Sequence, residues 1–174
     1  MKKMVIDTAH SEIGFKVKHL MISTVKGNFG NFNGEVDSDG NVNFSLDVSS
    51  INTNNTDRDN HLKSADFFDV ENHPTVTFVS NGVDLQGETI SGELTIKGIT
   101  KTVEFKSEYN GKSVDPWGNT KHGFEISGTI NRNDFGLTWN AALETGGVLV
   151  SESVSINLDI QLLEVVEQEE AQMA

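Results

Sequence analysis

Along most of this chain, every second residue is hydrophobic. Ile13, Phe15, Val17 and His19 alternate with Glu12, Gly14, Lys16 and Lys18, and Val42, Phe44, Leu46 and Val48 alternate with Asn43, Ser45, Asp47 and Ser49. A period of two gives one dry and one wet face, which predicts half-buried β-strands. The same parity holds for Ile90, Leu94 and Ile96 with Gly92, for Val103, Phe105 and Tyr109, and for Phe124, Ile126 and Ile130 with Gly128. Phe135, Leu137 and Trp139 form a short aromatic stripe, and Val154 to Leu162 makes the longest dry face.

Turn signals separate these runs: Asp39-Gly40, Asn81-Gly82, Gln86-Gly87, Lys97-Gly98, Asn110-Gly111, Pro116-Trp117-Gly118 and Gly146-Gly147. Asn81-Gly82 reads as a bulge within a longer strand, because Val83 and Leu85 resume the alternation. Phe29 and Phe32 break parity, which predicts a bulge near Gly30.

Residues 56–69 depart from the strand pattern and predict a short helical insert. Thr56 with Asp59 three residues later is a capping-box pattern, Asp57 and Asp59 lie where the helix dipole favours negative charge, and Asp59 can pair with Lys63. A β protein that places charged residues on one short helix is expected to close or cover something with it.

At least seven one-sided strands need a common dry interior. Sequential hairpins favour an all-β fold, a single antiparallel up-and-down β-barrel of about eight strands, which leaves no open edge. Gly92 and Gly128 at interior parity either leave room for one ligand or merely permit bending of the strands. One barrel domain is expected over 1–164, followed by an acidic tail over 165–174.

Composition narrows the chemistry. The chain has 174 residues and no cysteine, which removes disulfides, thiolate metal sites and a cysteine nucleophile. The net charge of −13 argues against general nucleic-acid or anionic-membrane binding. No apolar run is long enough for a membrane span, so no stable membrane insertion is expected. Met1-Lys2-Lys3 is not followed by an apolar signal region, since Asp7, His10 and Glu12 interrupt it, and a cytoplasmic location is the expectation.

The five histidines show no zinc-type spacing, so no metal ligand is assigned. Asp37-Ser-Asp-Gly-Asn41 reads as a hairpin turn rather than a calcium loop. Only Arg58 and Arg132 are arginines, and each sits among acidic or amide residues. One reading has them locking the insert and the late hairpin to the barrel. The other has one of them, with His61, meeting a ligand head group.

These pieces together resemble the YceI family of lipocalin-like barrels, which are linked to binding of long isoprenoid lipids. The resemblance runs from about Asp7 to Glu164. It rests on Asp7-x-x-His10-Ser11 with Phe15 and His19, Gly27-x-Phe29 with Phe32-x-Gly34, and Arg58-Asp59-x-His61-Leu62 with Phe67-Phe68. Pro74 before Thr77-Phe78, Gly92-x-Leu94-Thr95-Ile96-Lys97-Gly98 and Arg132-x-Asp134-Phe135-Gly136 complete it. The family implies an elongated barrel with an apolar tunnel, a helical element near one end, no catalytic apparatus and a homodimer.

The expected function is therefore non-enzymatic binding or carriage of an isoprenoid quinone or polyprenyl lipid, with no required cofactor. The expected lining is Phe15, Val17, Phe29, Phe44, Leu46, Phe78, Leu94, Ile96, Phe105, Phe124, Ile126, Phe135, Leu137, Trp139, Ile156 and Leu158. The alternative is a hydrolase or isomerase acting on an apolar substrate, with His61 and Asp57 as acid and base. Of the two tryptophans, Trp117 is expected to be the wetter.

Overall fold

The structure, a computed structural model, describes residues 1–140 and 149–165. Eleven strands form one antiparallel sheet: β1 (Met4–Ile6), β2 (Glu12–His19), β3 (Ser23–Phe29), β4 (Phe32–Val36), β5 (Val42–Asp47), β6 (Ile51–Asn52), β7 (Thr75–Ser80), β8 (Thr89–Ile96), β9 (Ile99–Val114), β10 (Thr120–Asn131) and β11 (Val150–Glu164). Three of the breaks are local interruptions of one barrel strand. Asp7 caps a 3-10 turn between β1 and β2, Gly30 and Asn31 separate β3 from β4, and Asp47 caps a 3-10 turn between β5 and β6. With each pair taken as one strand, eight strands follow in up-and-down order, and β1 and β2 both pair with β11 to close the barrel.

The alternation in the sequence becomes register. Phe124 faces Ile160, Ile126 faces Leu158 and Ile130 faces Val154 across β10 and β11, while Phe78 lies between Phe44 and Leu94. Paired inward side chains form one core cluster that runs the length of the barrel.

Several expected details differ. Residues 81–88 are a loop between β7 and β8, so Asn81-Gly82 ends a strand rather than bulging one. Asp84 caps this loop through its side chain, which accepts from the Gln86 amide. Helix α1 spans Thr56–Lys63, not 56–69, and its N-cap is Asn55, whose side chain accepts from the Arg58 amide. Ser64 ends the helix by donating its hydroxyl to the His61 carbonyl at 2.6 Å.

The interior glycines answer differently from either expectation. A Cβ at Gly92 would lie 2.6 Å from the Phe78 ring, and one at Gly128 would clash with Phe105. Each glycine seats an aromatic ring against bare backbone, so the space is filled by protein. The acidic tail expected over 165–174 lies, beyond residue 165, outside the described residues.

Candidate functional site

A cavity of about 260 Å³ remains inside the barrel, with an almost wholly apolar lining. Leu62, Phe67, Phe68 and Val150 line it at the α1 end, and Val83, Asp84 and Leu85 at the β7–β8 loop. Between them lie most of the residues expected from the alternation: Phe15, Val17, Phe29, Phe44, Leu46, Phe78, Leu94, Ile96, Phe105, Phe124, Ile126, Leu137, Ile156 and Leu158.

Phe135 and Trp139 are corrections. The stripe Phe135-Leu137-Trp139 is not a strand. Asn131 accepts from the Asn133 amide and starts a 3-10 turn over Arg132–Phe135, which Gly136 ends at a φ of 73°. Phe135 is packed behind the cavity wall at 1% exposure. Trp139 sits outside the cavity with its ring 5.3 Å from Phe67 and 4.8 Å from His61. Trp117 is 83% exposed.

The sequence reading missed Leu62, Phe67 and Phe68 as lining residues. Phe68 closes the α1 end by meeting Phe29 edge to face at 6.3 Å. The doublet Phe67-Phe68 directly after a polar helix was the available signal, since two adjacent aromatics seldom both face water.

Neither arginine pairs with a carboxylate among the described residues. Arg58 donates from Nε to the Thr53 hydroxyl at 2.8 Å and from Nη2 to the Thr53 carbonyl at 2.6 Å. The Thr53 hydroxyl in turn donates to Asp59 at 2.5 Å. Asp59 is thus engaged by Thr53 rather than by Lys63, and this node ties α1 to β6. Arg58 stands off the cavity wall.

Arg132 reaches the wall at 4% exposure. It donates to four main-chain carbonyls: Ser151 at 2.8 Å, Leu137 at 2.5 Å, Trp139 at 2.9 Å and Val150 at 3.1 Å. Burial holds its pKa below the usual arginine value, against the opposing pull of Glu152. The late turn and the start of β11 converge on this one guanidinium.

His61 does not reach the cavity and does not bond Asp57. Its Nε2 meets Asp66 at 3.0 Å on a side chain 39% exposed. An acid–base pair of His61 and Asp57 therefore has no geometric basis here.

A second polar cluster lies at the opposite end of the barrel. Lys121 bridges Asp7 at 2.8 Å and Asp115 at 3.9 Å, and His10 also meets Asp7. The Lys121 ammonium, aided by His10, holds the Asp7 pKa at about 2. His122 lies between the Tyr109 hydroxyl at 2.9 Å and Glu164 at 2.7 Å, and this contact lowers the Glu164 pKa. These groups staple strand ends and do not line the cavity.

The family model for a YceI-like domain matches residues 4–162. The chain belongs to the YceI family. Among curated YceI relatives, a UPF0312 protein of Staphylococcus epidermidis is 46% identical over 161 residues, which cover 88% of this chain and 93% of that one. A UPF0312 protein of Staphylococcus aureus is 44% identical over the same shares. The Campylobacter jejuni YceI protein superposes with a TM-score of 0.72 at 32% identity, covering 92% of this chain and 96% of that one. The fold is shared more distantly with a polyisoprenoid-binding domain from Saccharophagus degradans, at a TM-score of 0.72 and 15% identity, covering 95% and 99%.

Proposed function

We propose that this protein binds and carries a long apolar lipid, an isoprenoid quinone or polyprenyl chain, in the barrel interior without transforming it. The observation that carries this reading is the apolar cavity, walled by paired inward side chains from β2 round to β11. An isoprenoid tail placed there would gain about 0.8 kcal/mol per buried CH₂, offset in part by the ordering of the chain. The Saccharophagus degradans neighbour, a polyisoprenoid-binding domain by its description, supports the same ligand class.

The neutral head of a quinone or alcohol suits the wall better than an anion. The lining is almost wholly apolar and would leave an anion without solvation, and the hydrogen bonds of Arg132 are directed to main-chain carbonyls. The test is organic extraction of freshly purified protein with mass spectrometry, followed by addition of quinone to delipidated protein. Recovery of a chain lipid and a quinone-dependent rise in Tm are expected. Failure to recover any chain lipid, together with no quinone-dependent rise in Tm, would end the carrier reading.

A further inference from the structure

The β2–β3 hairpin breaks with the rest of the molecule in both charge and tip chemistry. Residues 13–34 contain Lys16, Lys18 and Lys26 and no aspartate or glutamate, in a chain of net charge −13. All three lysines are exposed on the outer face. Lys16 and Lys26 are direct cross-strand partners, a placement of like charges that costs stability. Among the described residues none of the three pairs with a carboxylate, and Lys18 donates only to the Thr24 hydroxyl, at 3.1 Å. On the adjoining β11, Ser155 faces Lys16 and Asn157 faces Gly14, with Glu152 the acid on that stretch.

The tip itself is apolar. Leu20, Met21 and Ile22 are 38%, 67% and 85% exposed. Leu20 and Met21 hold φ angles of 55° and 59°, a turn for which Asn-Gly is the unstrained choice. The chain therefore keeps a leucine and a methionine at exposed positions where they are poor turn formers. Backbone strain combined with exposed aliphatic side chains marks a contact surface.

We propose that the β2–β3 hairpin is a membrane-surface contact. Leu20, Met21 and Ile22 enter the acyl boundary of an anionic bilayer, and Lys16, Lys18 and Lys26 meet its head groups. The net charge of the molecule does not forbid this. Screening limits charge effects to about 8 Å at physiological salt, so the local sign at the tip decides. The contact is peripheral: no described helix is long and apolar enough to cross a membrane. Trp117 is the contrasting case. It is also exposed, but lies at the opposite end of β10, in a turn built on Asp115.

Flotation of the full chain with vesicles of phosphatidylcholine alone, or with phosphatidylglycerol added, tests the proposal. It does not depend on what the barrel carries, so it can fail while the carrier reading holds. Wild-type protein is expected to float with the phosphatidylglycerol vesicles at physiological salt and to release as salt rises further. The triple variant Leu20→Asn, Met21→Gly, Ile22→Ser supplies the preferred turn. It should melt at or above the wild-type Tm while binding about tenfold or more weakly. Lys16→Gln and Lys18→Gln should each weaken binding about fivefold. Trp117→Ala should float like wild type. Absence of wild-type flotation on anionic vesicles at physiological salt, undiminished binding by a folded triple variant, or loss of binding in Trp117→Ala would each overturn the assignment.

Discussion

At the scale of single residues, Arg132 does the work of a cross-link. Its guanidinium satisfies carbonyls at 137, 139, 150 and 151, on two segments that no regular ladder joins at that point. An orphaned buried acceptor costs about 1–3 kcal/mol, so Arg132→Ala is expected to lose about 3 kcal/mol or more in denaturant unfolding. Arg132→Lys should recover little, because one ammonium cannot span four carbonyls set around a planar fork. Gly128 carries the opposite constraint, since an added methyl meets the Phe105 ring. Gly128→Ala is expected to cost about 1–3 kcal/mol, and a smaller side chain at 105 should return part of it in a double-mutant cycle. Asp7 sets an acid limit. Its pKa is depressed in the folded state, to about 2 from the ordinary value of 3.8, by Lys121 first and His10 after. The contribution, about 2 kcal/mol, is therefore present above about pH 4 and lost as pH falls towards 2. In a urea series from neutral to acid pH, Asp7→Asn should be less stable than wild type at neutrality and converge with it in acid.

At the scale of elements, α1 is held by few contacts and is expected to open on its own. None of its residues is fully buried, and Thr53, 3% exposed, joins it to β6 by accepting from Arg58 and donating to Asp59. Thr53→Val removes both bonds at nearly constant volume. Amide hydrogen exchange should then accelerate across 56–63 while β9, β10 and β11 keep their protection. The strands were legible in the sequence because burial on one face imposes the period of two, and residues such as Phe124, Ile126, Ile156 and Leu158 fall on the cavity wall where parity puts them. Parity failed where hydrogen bonding by a polar side chain overrode it. Asn131 capped a 3-10 turn and removed Phe135 and Trp139 from the wall, and Asn55 took the cap expected of Thr56. The partners of the two arginines were not legible, since backbone carbonyls from distant segments leave no mark in composition. Nor does alternation reveal a ring seated on a glycine of the neighbouring strand, which is a property of register.

At the scale of the whole molecule, an acidic exterior surrounds an apolar interior, and this combination selects among ligands with the same tail. A polyprenyl alcohol and its pyrophosphate bury identical chains, so the methylene contribution cancels in their comparison. What differs is the head. A molecule of net charge −13 repels the pyrophosphate during approach, and the almost wholly apolar lining gives it no counter-charge at close range. Arg132 does not offset this, because its donors are directed to four carbonyls rather than into the space a head group would fill. In competition for delipidated protein the alcohol is expected to win at low salt. The long-range part of the preference should shrink as salt shortens screening to about 8 Å, while the cost of taking a charged head into an apolar cavity persists. If the pyrophosphate instead prevails at both low and moderate salt, a basic head-group site must form on binding, and the inference from charge to ligand class fails.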